Sequence, residues 1–273
     1  TNVINSTKQN AQNLFDKLMA DETICILNDS QKKHILSSYN MMSYKLGTHA
    51  TPTLFNQGTL TPQCSSCYLL PPMGDSMTDI TDTWRKEAMI SKWAGGIGSS
   101  IYALRGQGSY IAGTNGVSNG IVPNLKVQND IALYVDQGGN RRPGSNAVYN
   151  TPWHSDIMAF LQLRKERGVE SERARDLFYA MWIPDEFMRC VTNKKDWYLM
   201  CPNKSPGLYE VFDKKHNTEW VSDSELNESD YAFTSLYRKY IQEKKYIRVI
   251  PATEVWQAIC DLQVETGLPY MLY

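Results

Sequence analysis

Apolar residues fall at helical spacing across residues 31–46, where Ile35, Tyr39, Met42 and Leu46 share one side and Gly47 is placed to end the helix as a C′ glycine. A weaker helical pattern covers residues 11–19. Beyond residue 48 the chain alternates short apolar runs with helix-length amphipathic stretches. The runs are 66–70, 97–104, 146–149, 177–183 and 197–201, and the helices predicted between them are 76–93, 122–135, 154–167 and 185–193. Alternation of this kind predicts βαβ units and a parallel sheet. Tyr179, Trp182 and Ile183 suit a strand covered on both faces. Residues 213–245 break the pattern with dense charge and carry an expected surface helix at 230–244. A last helix, 253–267, places Val255, Trp256, Ile259 and Leu262 at core spacing. The closing run 268–273 is apolar and strand-like, so it is expected to pair with another segment or to be followed by more chain.

Composition narrows the class without naming a chemistry. The chain has 273 residues, 42% hydrophobic and 21% charged, with a net charge of -1, as ordinary globular domains do. So balanced a charge offers no general attraction to nucleic acid or to a bilayer. No apolar run approaches the roughly 18 residues of a membrane span, and the first residues lack a signal-peptide pattern. Six cysteines are too sparse for a disulfide framework, which points to a reducing, cytoplasmic compartment.

Three segments invite chemistry. Cys64 and Cys67 form a C-x-x-C pair that reads as a zinc half-site or a redox couple, or as two ordinary buried core cysteines. No second pair is present to complete a zinc site, and none is expected. If Cys67 begins a strand, residues three apart point to opposite faces, which disfavours a mutual disulfide. The glycines at 95, 96, 98, 106, 108, 113, 116 and 120 either build tight turns or let backbone N–H groups approach an anion. Residues 136–144 combine glycines with Arg141 and Arg142, as a solvated loop or a phosphate-reading loop would.

In order along the chain stand THATPTLFN (48–56), QCSSCYLL (63–70), SKWAGGIG (91–98), GSYIAGTN (108–115), YVDQGGNRRPG (134–144), RARDLFYAMWIP (173–184) and PYMLY (269–273). This series resembles the large subunit of class I ribonucleotide reductases almost continuously from about His34 to Tyr273. The resemblance implies an α/β fold, the first parallel five-stranded half of a ten-stranded α/β barrel. The five apolar runs would be its strands, with residues 1–47 a helical N-terminal part and 48–273 the half-barrel. It implies thiyl-radical reduction of ribonucleoside diphosphates to 2′-deoxyribonucleotides.

Residue by residue, the resemblance makes Cys67 the first of two reducing cysteines and places Cys64 where the family is commonly apolar. Thr51, Ser66, Cys67 and Gly96 match substrate-binding positions. Asp75, Ser76, Met77, Lys92, Arg105, Ala112 and Gly113 match an allosteric site for ATP or deoxynucleoside triphosphates with Mg. Ser76 is also a plausible helix N-cap, with Asp79 three residues on. Gln137 and Arg142 match a specificity loop between effector base and substrate base.

The radical-forming cysteine and the second reducing cysteine would lie beyond Tyr273, so the chain alone is expected to be inactive. No cofactor is expected in it. The implied partners are a complementing C-terminal part of the large subunit, a metal-containing small subunit that supplies the radical, a second large subunit, and thioredoxin or glutaredoxin. A split gene, an intein boundary or a segment of a longer chain would each account for the end at Tyr273. The other reading is a stand-alone nucleotide-binding regulatory protein without catalysis, and a third is a thiol oxidoreductase using Cys64 and Cys67.

Overall fold

The computed structural model describes residues 28–60, 62–135, 144–215 and 232–273, without the side chains of 213–215. The predicted helix at 11–19 and the specificity-loop residues Gln137 and Arg142 lie outside the described residues.

The first described helix, α1 (Asp29–Ser43), starts with a capping box between Asn28 and Gln31. It ends earlier than the glycine suggests. Lys45 takes the left-handed position (φ 57°), and the N–H groups of Lys45 and Leu46 close onto the carbonyls of Met42 and Met41. Gly47 therefore does not act as the C′ residue. Nor is the apolar side of α1 a core face: none of its residues is buried, and Leu46 is 80% exposed. Helix α2 (Thr51–Asn56) follows, with a proline in its first turn.

Strand β1 (Cys67–Leu69) leads into α3 (Met77–Lys92) and β2 (Gly96–Ser100). A small hairpin, β3 (Tyr110–Ile111) and β4 (Gly116–Val117), precedes α4 (Ile121–Tyr134) and β5 (Asn146–Asn150). The predicted helix at 154–167 shrinks to α5 (Ile157–Phe160) flanked by turns. After β6 (Phe178–Trp182) come α6 (Asp185–Thr192), β7 (Asp196–Leu199), α7 (Leu208–Lys215), α8 (Ala232–Gln242), β8 (Arg248–Pro251), α9 (Ala252–Thr266) and β9 (Tyr270–Leu272). Gly267, at φ 74°, closes α9 in the left-handed conformation that glycine adopts without strain.

Five strands form one sheet in the order β1-β2-β5-β6-β9, every neighbouring pair parallel. A mixed α/β chain with such a sheet has the form of half an α/β barrel. One strand assignment is corrected. The run at 197–201 does not join this sheet; as β7 it pairs antiparallel with β8, and β9 supplies the fifth parallel strand. Hydrophobicity alone cannot tell these apart, because both runs are short and apolar; they differ in their pairing partners, β8 for one and β6 for the other.

The register assigns residues to faces. One face carries Ile97, Val148, Tyr179 and Met181, all buried. The other carries Cys67 and Leu69, then Gly96, Gly98 and Ser100, then Ala147 and Tyr149, then Ala180 and Trp182, and last Tyr270 and Leu272. Trp182 lies under Tyr102 and Phe212, whereas Leu69 is 85% and Tyr270 50% exposed. This face is open at both edge strands.

Candidate functional site

On the open face, Cys67 stands directly opposite Gly96 across the parallel ladder. Its thiol is free and exposed, and the Ser66 hydroxyl donates to it at 3.5 Å. The Ser66 carbonyl accepts the Gly96 N–H at 2.8 Å, locking the two strand starts together. A side chain at Gly96 would meet only the Ser66 carbonyl oxygen, at 3.5 Å, so the space above this glycine is open. At Gly98 a Cβ would press on Leu69 at 2.8 Å, so that glycine lets Leu69 lie close over the sheet. Thr51 begins α2, which docks on the segment before β1: Thr53 donates to the Cys64 carbonyl (3.1 Å) and Asn56 to that of Gln63 (2.7 Å). The structure thus gathers Ser66, Cys67 and Gly96 and brings the helix of Thr51 alongside.

The expectation of buried core cysteines at 64 and 67 is corrected, since both are exposed and free. Cys67 lies on the sheet face that is open at its edge, and Cys64 lies before the strand, in the irregular segment that leads into β1.

A second cluster forms at the N-terminus of α3. Ser76 is the N-cap, accepting the Asp79 N–H at 3.1 Å. Its hydroxyl also donates to the Asp79 carboxylate at 2.6 Å, so Asp79 binds the serine side chain. Asp75 accepts both the backbone N–H (2.9 Å) and the Nε (2.6 Å) of Arg105, and Arg105 Nη1 donates to the Tyr110 carbonyl. Arg105 is thereby held between Asp75 and the hairpin whose exposed tip contains Ala112 and Gly113. Asp75, Ser76, Met77 and Arg105 come together from segments some 30 residues apart. Lys92 does not join them. It ends the 16-residue α3, roughly 22 Å along the axis from Met77 at about 1.5 Å per residue, with Nζ over the Trp93 ring.

Behind the sheet lies a polar group that no motif singled out. Glu87 is 2% exposed and accepts from Asn146 at 3.0 Å and Gln128 at 3.4 Å, and Ser99 donates to Asn146 at 3.1 Å. Burial pushes its carboxyl up to about 7 against the lowering effect of the bonds from Asn146 and Ser99. The residues of this network are 12 to 59 positions apart, and no sequence pattern marks them. Among the described residues no group of three or more His, Cys, Asp or Glu could hold a metal ion, and no helix is long and apolar enough to cross a membrane.

A parallel five-stranded sheet with helices, carrying an exposed free thiol beside a glycine on its open face, defines a domain of the α/β-barrel class. Residues 65–273 match the barrel domain of ribonucleotide reductase. The chain is 52% identical over 238 residues to the ribonucleoside-diphosphate reductase large subunit of Plasmodium falciparum, covering 87% of this chain and 27% of the relative. It is equally similar to the large subunit of Danio rerio (87% and 28%), and 51% identical to that of variola virus (87% and 29%). The chain belongs to the ribonucleotide reductase barrel-domain family. It spans a little over a quarter of the length of these relatives.

Proposed function

We propose that this chain is the nucleotide-binding first half of the catalytic barrel of a ribonucleoside-diphosphate reductase large subunit. The reaction replaces the 2′-hydroxyl of a ribonucleoside diphosphate with hydrogen. The hydroxyl leaves as water, and two thiols are oxidised to one disulfide, which balances the two electrons. Cys67 is one of those thiols; it protonates the departing hydroxyl and then joins the disulfide. Thr51, Ser66 and Gly96 bind the substrate around it. The second thiol and the radical-forming cysteine belong to a complementing C-terminal part, and a metal-containing small subunit supplies the radical. Thioredoxin or glutaredoxin returns the disulfide to thiols.

The observation that carries this reading is the exposed Cys67 thiol opposite Gly96 on the open sheet face. Rigid placement on a strand suits a group that must meet one carbon of a bound sugar. The Asp75–Arg105 cluster, with Ser76, Met77, Ala112 and Gly113, is the effector site for ATP or deoxynucleoside triphosphates with Mg. Exposed N–H groups at the start of α3 and an arginine fork suit phosphate. Lys92 completes this site only from a second copy of the chain, which a dimer of large subunits provides. Gln137 and Arg142 carry the effector signal to the substrate base.

The test is CDP reduction by the complete large subunit with its small subunit and a dithiol reductant. Cys67→Ser should lower multiple turnover by at least about 10³-fold, on the order of 4 kcal/mol, because serine cannot form the disulfide. Cys64→Ser should retain a substantial part of the rate. An inactive Cys64→Ser beside an active Cys67→Ser would overturn the assignment.

A further inference from the structure

Arg105 is only as well aimed as the turn that carries it, residues 104–109, between β2 and the β3–β4 hairpin. Side chains from much later in the chain fasten that turn. The His154 imidazole meets the Leu104 carbonyl through Nε2 at 2.8 Å, and its Nδ1 accepts the Asp156 N–H at 3.1 Å, so Nε2 bears the proton. The Gln107 N–H lies 3.0 Å from both Asp156 carboxylate oxygens. The Gly106 N–H donates to Cys201 Sγ at 3.3 Å, and Ser109 Oγ lies 2.8 Å from the same sulfur. Cys201 is buried, and the proposed reduction makes no use of it. Close fit is required here: a Cβ at Gly106 would fall 1.9 Å from Ser155 Oγ.

We propose that Cys201 and Ser109 are positioning residues for the effector site, their contact holding the turn so that Arg105 meets Asp75 and the effector phosphates. The proposal rests on the effector-site reading above. A sulfur that accepts the Gly106 N–H and shares a hydrogen bond with the Ser109 hydroxyl pins the turn on either side of Gln107 and Gly108, starting one residue past the arginine. A purely apolar residue of similar size would fill the space and leave both groups without that partner.

The experiment measures dTTP binding to the complete large subunit by equilibrium titration, alongside its thermal midpoint without nucleotide. Cys201→Val should weaken dTTP binding by about tenfold, and Cys201→Ser, which keeps a polar acceptor, should recover to within about threefold of the unaltered protein. Ser109→Ala should weaken binding by about threefold, and adding it to Cys201→Val should cost little more, because the two act through one contact. A merely structural role would lower the thermal midpoint in the variants and leave the affinities together. Arg105→Ala separates the two possible failures. If it weakens binding while Cys201→Val and Ser109→Ala stay within twofold of the unaltered protein, the positioning role is wrong and the effector site stands. If Arg105→Ala itself binds dTTP normally, the effector-site reading falls first. Should Cys201→Val fail to fold, Ser109→Ala, at a half-buried position, decides the matter alone.

Discussion

The two faces of the parallel sheet are made from the same strands yet obey different rules. On the covered face, Val148, Tyr179 and Met181 lie in a continuous core with the helices, and Ile97 is buried beside them in the sheet. On the open face, Cys67 and Leu69 at one edge and Tyr270 at the other are exposed, and the neighbouring strand offers glycines at 96 and 98. Alternation along each strand separates the two sets of side chains, so the covered face can be optimised for burial while the open face keeps room for a ligand. The open face is covered only toward its centre, where Trp182 lies under Tyr102 and Phe212, and the proposed chemistry sits at its exposed edge.

That contrast can be broken most severely from the covered side. Tyr179→Ala removes a fully buried ring packed edge-on against Phe160, with a hydroxyl bonded to the Ala174 carbonyl. It should destabilise the protein by about 3–5 kcal/mol in denaturant unfolding, whereas Leu69→Ala on the open face should change stability by no more than about 0.5 kcal/mol. Comparable losses at the two positions would mean that the open face is closed in solution.

The buried carboxyl of Glu87 sharpens the same contrast through pH. Its folded-state pKa is raised to about 7 from an ordinary 4.5, so between those values the unfolded chain loses the proton while the folded chain keeps it. Stability should therefore fall as pH rises from about 4.5 to 7 and level off above, by on the order of 3 kcal/mol from this group. Glu87→Gln should remove that component. Thermal or denaturant unfolding at several pH values reads the difference, and a Glu87→Gln protein with the original pH slope would contradict it.

The smallest expected effect concerns Gly96. A methyl group there meets only the Ser66 carbonyl oxygen at 3.5 Å, so Gly96→Ala should fold with nearly unchanged stability. It does fill space beside the Cys67 thiol, and KM for CDP in the complete enzyme should rise a few fold, about 1 kcal/mol in substrate binding. An unchanged KM would move the substrate away from this glycine.

The amino-acid order by itself determined the strand–helix alternation, the Ser76 cap, the Gly267 helix end and the motifs that mark the ribonucleotide reductase family. These are local: a cap, a period or a contiguous motif is complete within a few residues. Tertiary structure alone decided which apolar run became the fifth parallel strand, because β7 and β9 have similar hydrophobicity and differ in what they dock against. It also exposed Cys64 and Cys67, left the apolar side of α1 uncovered, and set Lys92 a helix length away from Arg105. The Glu87 network and the Cys201 contact to the turn of Arg105 were equally invisible in the order of residues. Each depends on groups that only the chain's long-range path brings within hydrogen-bonding distance. A side chain's partner 95 positions away leaves no periodicity for a sequence to display.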